Sequence, residues 1–301
     1  MTRSTTMAAA LGGALIVSVL AGVAPFLAAA TDERVSRLYS HPVPVTIIGY
    51  DDKAMEAFIS RDGSRLFFNN WNSPTVNTNL RVANRVDDTT FRYRGELKGV
   101  NTPALEGVPS VDRDGMLYFI TTRSYDTTRS TIYRGHIDGE TVSDVEVVKG
   151  VSREVPPWVN FDAEISADGN VLYFVDGRFG AAGIPETADL VVARKKGNRF
   201  ERFSPGEDIF RNVNTEALEY APAISADDLT LIFTRAELGL KGRVSLYIAT
   251  RATAAAPFDP PAALVDLDGY VEAATFTPDG RAIYYHRKDH GTFVILMARR
   301  R

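Results

Sequence analysis

The chain has no cysteine among its 301 residues. That excludes disulfides, thiol nucleophiles, cysteine-ligated metal and a lipid anchor on an N-terminal cysteine. Histidine and tryptophan are scarce, with four and two residues. No Gly-x-Ser-x-Gly elbow occurs, so serine-histidine-acid catalysis has no support. An excess of one charge is also missing: 34 basic and 38 acidic residues are scattered for a net of −4, without the Lys/Arg stripe that a phosphate backbone demands. Nucleic acid is therefore excluded as a partner. Past residue 30, no stretch is long and apolar enough to span a bilayer.

The first thirty residues are unlike the rest. After Arg3, the stretch from Met7 to Ala30 is almost wholly small or apolar and ends Leu27-Ala28-Ala29-Ala30, an Ala-x-Ala pattern, before Thr31. This is the layout of a secretory signal peptide cleaved after Ala30, and it predicts a periplasmic or secreted protein with no membrane span after cleavage. Uncleaved, the same stretch is long enough for an anchor, although Gly12, Gly13, Gly22 and Pro25 make it a poor one. Residues 31–42 read as a short linker.

The remainder is organised by a repeat. Glu56-Ala-Phe-Ile-Ser-Arg-Asp-Gly63, Ser110-Val-Asp-Arg-Asp-Gly115, Ala163-Glu-Ile-Ser-Ala-Asp-Gly169, Ala223-Ile-Ser-Ala-Asp-Asp228 and Ala274-Thr-Phe-Thr-Pro-Asp-Gly280 share one pattern. Each leads into a second strand: Leu66-Phe67-Phe68, Leu117-Tyr118-Phe119, Leu172-Tyr173-Phe174, Leu231-Ile232-Phe233 or Ile283-Tyr284-Tyr285. Two β-rich runs joined by Asp-Gly form a hairpin, because these residues accept the positive φ of a tight turn. Asp228 replaces glycine in the fourth copy. The turn aspartates Asp62, Asp114, Asp168, Asp227 and Asp279 are 52, 54, 59 and 52 residues apart, room for four strands each. Third strands read at 79–83, 131–134, 190–194, 245–250 and 293–298, and fourth strands at 91–97, 142–148, 199–203 and 262–267. The fifth copy has no fourth strand, and the run Val43 to Gly49 can supply it. The expectation is an all-β, single-domain propeller of about five four-stranded blades over residues 43–301, closed by the N-terminal strand, and monomeric.

The pattern of Glu, a short apolar strand, Ser-x-Asp-Gly and an aliphatic-aromatic strand resembles the WD40-like repeats of the TolB propeller family. The best matches run from Glu106 to Phe119 and from Glu219 to Phe233, and the resemblance covers the chain from about residue 50 onward. It implies the propeller fold and an exported binding module that presents its mouth to a partner protein or envelope glycan. Five-bladed glycosidases of the arabinanase and levansucrase groups are similar in architecture, with acidic residues on inner strands, though their motifs are not found here. The alternative is therefore a polysaccharide-active hydrolase or lyase.

In such a ring the start of each first strand faces the end of the second at the mouth. At the starts stand Glu56, Glu106, Asp162, Glu219 and Glu272; past the ends stand Trp71, Arg123, Arg178, Arg235 and Arg287. Spacings of 17, 16, 16 and 15 residues predict the pairs Glu106/Arg123, Asp162/Arg178, Glu219/Arg235 and Glu272/Arg287, structural bridges or ligand-binding arginines. Glu56 alone lacks an arginine. It lies near Asn69-Asn70-Trp71-Asn72-Ser73, an acid beside a flat apolar ring and amides, as sugar sites require. Under the enzyme alternative Glu56 pairs with Glu106 or Glu272, since a glycosidic bond needs two flanking carboxylates. A ring of carboxylates at the mouth could hold Ca²⁺, opposed by the arginines; no other cofactor is expected. His286-Arg-Lys-Asp-His290 has too little to orient it as a metal site. The likeness of Val100-Asn-Thr-Pro-Ala-Leu-Glu106 to Val213-Asn-Thr-Glu-Ala-Leu-Glu219 reads as duplicated structure.

Overall fold

The computed structural model describes residues 34–73, 76–180, 185–204, 208–237 and 242–301. The expected signal peptide lies outside the described residues. An N-terminal segment with three short strands, β1 (Val35–Ser36), β2 (Val43–Pro44) and β3 (Thr46–Ile48), precedes five similar units. The units are β4 (Met55–Ile59) to β7 (Thr90–Glu96), β8 (Glu106–Val111) to β11 (Thr141–Val147), β12 (Trp158–Ile165) to β15 (Arg199–Arg202), β16 (Leu218–Ile224) to β19 (Ala262–Leu264), and β20 (Tyr270–Phe276) to β22 (Thr292–Arg299). Within each unit successive strands pair antiparallel. The second and third strands are β5 (Arg65–Asn69) and β6 (Leu80–Arg85), β9 (Met116–Thr121) and β10 (Ile132–Asp138), β13 (Val171–Phe179) and β14 (Pro185–Lys196), β17 (Thr230–Ala236) and β18 (Val244–Thr250), and β21 (Ala282–Asp289) before β22. One helical turn, α1 (Tyr125–Thr128), which the sequence pattern does not announce, joins β9 to β10.

The hairpin turns follow from their residues. Ser166 Oγ donates to Asp168 Oδ1 at 2.6 Å and accepts the Val171 N–H at 2.9 Å. Ser225 with Asp227 and Thr277 with Asp279 repeat the arrangement. In the second unit Asp112 takes the serine's place and accepts the Asp114 and Met116 N–H groups. The following residue is left-handed everywhere, with φ of 73, 80, 73 and 66° at Gly63, Gly115, Gly169 and Gly280 and 60° at Asp228.

The aliphatic-aromatic second strands set how units pack, because successive side chains of a strand point to opposite faces. Leu117 and Phe119 join the cluster shared with the first unit, whereas Tyr118 and Ile120 join the cluster shared with the third. Tyr173 and Val175 pack toward the fourth unit, and Ile232 toward the fifth. A last cluster brings Ile59, Leu66 and Phe68 of the first unit against Ala282, Tyr284 and Met297 of the fifth. Each unit thus packs on the next and the fifth on the first.

The N-terminal run does supply the fifth unit's fourth strand: β2 pairs antiparallel with β22, Val43 opposite Met297. It is not one strand, however. Past Val45, whose N–H donates to Ile295 O at 2.9 Å, the chain crosses over and β3 runs parallel to β7 of the first unit. Of the segment read as a linker, the described residues 34–42 are more than that, since β1 pairs parallel with β19 of the fourth unit and Tyr39 bridges Arg300.

Candidate active site

The inner strands β4, β8, β12, β16 and β20 all carry a bulge at one place, where two residues oppose one on the partner strand. Its first residue is left-handed in every case: Glu56, Val108, Asp162, Ala221 and Ala273 have φ between 48 and 55°. The conformation belongs to the fold, since non-glycine residues of every kind adopt it. It also sorts the five carboxylates that spacing alone would align. Glu56 and Asp162 sit at the bulge, Glu272 one residue before it, and Glu106 and Glu219 two before it.

Two of the four expected ion pairs form. Arg235 Nε donates to Glu219 Oε1 at 2.7 Å, and the Arg123 guanidinium lies 3.2 Å from Glu106. Glu106 further accepts the Thr102 N–H and hydroxyl and the Thr121 hydroxyl, and Glu219 accepts the same two groups of Thr215. The preceding Asn101 clasps Leu80 of the unit before through both its N–H and its carbonyl, and Asn214 clasps Leu190 in the same way. The duplicated Val-Asn-Thr-x-Ala-Leu-Glu segment is therefore a joint between units. Glu106 is committed to this joint through Thr102, Thr121 and Arg123.

The other two pairs do not form. Arg178 binds Glu186 at 2.7 Å and Arg287 lies 3.5 Å from Asp289. The bulge turns Asp162 and Glu272 away from the arginines and toward the axis, where Glu56 also lies. Glu56, Asp162 and Glu272 are only 4, 2 and 1% exposed, with no cation against them among the described residues. Burial first, then the charge of Asp162 and less so of Glu272, holds the Glu56 carboxyl well above the usual carboxylate range, against the pull of the Asn72 and Asn69 amides. Asp162 is pushed up to about 7 by burial and by Glu272, while the Ala221 N–H it accepts at 3.2 Å works the other way.

Two residues that spacing does not single out complete the set. Tyr220 Oη donates to Glu272 Oε1, His286 Nε2 lies 3.2 Å from Glu272 Oε2, and the Glu56 N–H donates to His286 Nδ1 at 3.0 Å. His286 is fully buried opposite Glu272, whereas the His290 side chain is 98% exposed in the turn beyond β21, so the two histidines diverge. Knowledge of the bulge register would have found His286 and Tyr220; the hairpin spacing contains no sign of it. Among the described residues no three His, Asp or Glu side chains are grouped to hold a metal ion.

The amide cluster is a brace more than a ligand surface. Asn69 Oδ1 accepts the Val108 N–H at 3.1 Å and its Nδ2 donates to Trp71 O and Asn72 Oδ1. Asn72 Nδ2 in turn donates to Glu56 Oε1, and Asn70 ties Asn77, Asn79 and Arg81 together. The indole of Trp71 is not a free platform: Lys53 Nζ lies 4.0 Å over it and the Phe293 ring is 5.7 Å away. Trp158 is capped likewise by Arg153 at 4.2 Å. Beneath the three acids a cavity of about 30 Å³, room for a single water, is lined by the bulges of all five inner strands. Deeper still, Arg61 donates to the Val111 and Ile165 carbonyls and to Glu164, so that layer carries its own cation.

No family model matches the chain, and no curated protein matches it. Solved structures do. An endo-arabinase from Bacteroides thetaiotaomicron VPI-5482 aligns with a TM-score of 0.55 at 17% identity, over 85% of this chain and 97% of that one. A thermostable family-43 glycoside hydrolase gives 0.55 at 12% identity, over 86 and 92%. TolB from Acinetobacter baumannii gives 0.44 at 14%, over 82 and 54%. The chain has a β-propeller fold. No helix among the described residues is long and apolar enough to cross a membrane.

Proposed function

We propose that this chain is an exported hydrolase of glycosidic bonds in a polysaccharide, built as five blades closed by the N-terminal strand and working where Glu56, Asp162 and Glu272 converge. One observation carries the reading: three inner-strand carboxylates, buried and without a cation, are gathered at one end of the axis while every other inner carboxylate is paired. Hydrolysis of a glycosidic bond needs an acid that protonates the departing oxygen and a carboxylate on the other side of the sugar ring. Desolvated acids of raised proton affinity suit that work. The endo-arabinase and the family-43 hydrolase share the fold over most of this chain, and this favours a hydrolase over the binding module that the TolB resemblance implies.

The axial cavity is too small for a sugar ring, so the substrate lies across the mouth and the cavity beneath takes water. The site has no uncommitted arginine among the described residues, which suits a neutral glycan. The test is release of reducing ends from a panel of neutral plant and envelope polysaccharides by the purified chain. Glu56→Gln, Asp162→Asn and Glu272→Gln are each expected to lose about 10²–10⁴-fold. If the wild type cleaves nothing, and Trp71→Ala weakens binding to one of the same glycans, the protein is a binding module.

A further inference from the structure

The three axial acids are not equivalent, and their hydrogen bonds divide the work between them. Glu272 has a donor on each oxygen. Tyr220 Oη–H points at Oε1, and burial with the Glu272 charge holds that phenol well above its usual range, so it keeps its proton. On the other side the Glu56 backbone N–H points at His286 Nδ1 at 3.0 Å. A backbone N–H only donates, so Nδ1 carries no proton, and the neutral ring has its proton on Nε2, which faces Glu272 Oε2 at 3.2 Å. Two donors thus converge on this carboxyl, one at each oxygen.

Glu56 is the reverse case. Asn72 donates to Oε1, but Oε2 is buried and accepts no hydrogen bond among the described residues. The groups facing it are Asp162 from β12, Glu272 from β20 and neutral His286 from β21, with Asn69 and Asn72 from its own unit. None is a cation. A buried carboxylate oxygen with no donor is costly, and a proton on it removes that cost.

We propose that Glu56 is the proton donor of the set and that Glu272 is its permanent carboxylate. The assignment rests on the hydrolase reading and deepens it. As the glycosidic C–O bond breaks, the Glu56 proton passes to the departing oxygen. Water supplies the hydroxyl to the anomeric carbon, and its remaining proton goes to a carboxylate of the set and from there restores Glu56. His286 is a positioning residue: through Nδ1 it holds the Glu56 backbone in its left-handed turn, and through Nε2 it holds Glu272.

Two measurements on the full chain test this. Infrared difference spectra of wild type against variant at about pH 8, where Asp162 and Glu164 with values of about 7 and Asp228 with about 6 are largely ionised, read the carbonyl band of a protonated, buried carboxyl. The band is expected to vanish in Glu56→Gln and to persist in Glu272→Gln; the opposite pattern overturns the assignment, whether or not a substrate is known. With aryl glycosides, Glu56→Gln is expected to slow unactivated leaving groups by about 10²–10⁴-fold while sparing dinitrophenyl glycosides, and to abolish the alkaline limb of the pH profile. Equal loss on both leaving groups also overturns it. If the wild type cleaves no glycoside, the hydrolase reading falls, and the infrared band still decides where the proton resides. His286→Gln, which can donate to Glu272 from the same side, is expected to keep more activity than His286→Ala and to shift the pH profile, an outcome a packing role alone would not give.

Discussion

At the scale of single residues, chemistry is separated from structure by what each charge touches. Glu219 is fully buried with Arg235 at 2.7 Å, so Arg235→Ala strands an uncompensated carboxylate and is expected to cost about 3 kcal/mol. Arg178, half exposed beside an equally exposed Glu186, should change stability by less than about 0.5 kcal/mol when truncated. Urea unfolding of both variants checks this, and equal losses would contradict the division into locked and free acids. Asp228 gives a pH signature of its own. Burial, then the charge of Asp168, pushes its carboxyl up to about 6, and its Oδ1 has no partner among the described residues. Because the folded value is above the unfolded one, the penalty is absent below about pH 4, grows while the unfolded form is ionised and the folded form still holds its proton, and is complete above about pH 6. Asp228→Asn keeps a residue tolerant of the left-handed turn and is expected to gain about 1 kcal/mol at pH 7 and nothing at pH 4. All the acids of the axis were legible in the sequence as inner-strand carboxylates. Their division was not, because a one-residue bulge does not alter the spacing of the hairpin on either side.

At the scale of elements, the second strand of each unit was the most legible part of the molecule. An alternating aliphatic-aromatic triplet has to bury both faces, and Leu117-Tyr118-Phe119 does so between two neighbouring units. Third and fourth strands came within a few residues of their observed ends, and pairing partners extended them beyond their apolar runs, most of all Pro185–Lys196. The inner strands were misjudged in register for the reason already given, and the consequence is testable without any substrate. Ala273 at φ 50° sits in a conformation that glycine adopts freely, whereas Ala274 next to it is not left-handed. Ala273→Gly is expected to raise stability by about 1 kcal/mol, relief of the left-handed strain outweighing the added freedom of the unfolded chain. Ala274→Gly should lower it by about 0.5–1 kcal/mol. Opposite signs at adjacent positions in a urea titration would establish the bulge in solution; the same sign at both would remove it.

At the scale of the whole molecule, the packing of the fifth unit on the first determines whether the buried acids meet at all. Glu56 belongs to the first unit and Glu272 and His286 to the fifth, so the site is assembled across the seam that the ends of the chain must hold shut. That the fifth unit borrows its outer strand was legible from a missing strand and a lone apolar run. The way the segment is stitched was not, since nothing in Val43-Pro-Val-Thr-Ile-Ile-Gly49 shows where it leaves one sheet for another. Pro44 sits beside β22 without an N–H to give, and Val45 donates to Ile295 before the chain crosses to β7. Further back, Ser40 exchanges hydrogen bonds with Arg299, and β1 lies on β19, so residues 35–48 tie the fourth, fifth and first units together. At roughly 1 kcal/mol net for each bond, losing this segment removes several kcal/mol and exposes the edge of Thr292–Arg299 for pairing with another chain. A chain beginning at Tyr50 is therefore expected to melt at a lower temperature than one beginning at Arg34, to self-associate in sedimentation, and to lose the infrared band of Glu56 as water reaches the seam. A peptide of residues 34–49 added in trans should restore all three. If the shortened chain melts unchanged, sediments as a monomer and keeps the band, the seam is held by the packing of the first unit on the fifth, and the N-terminal segment is dispensable to the site.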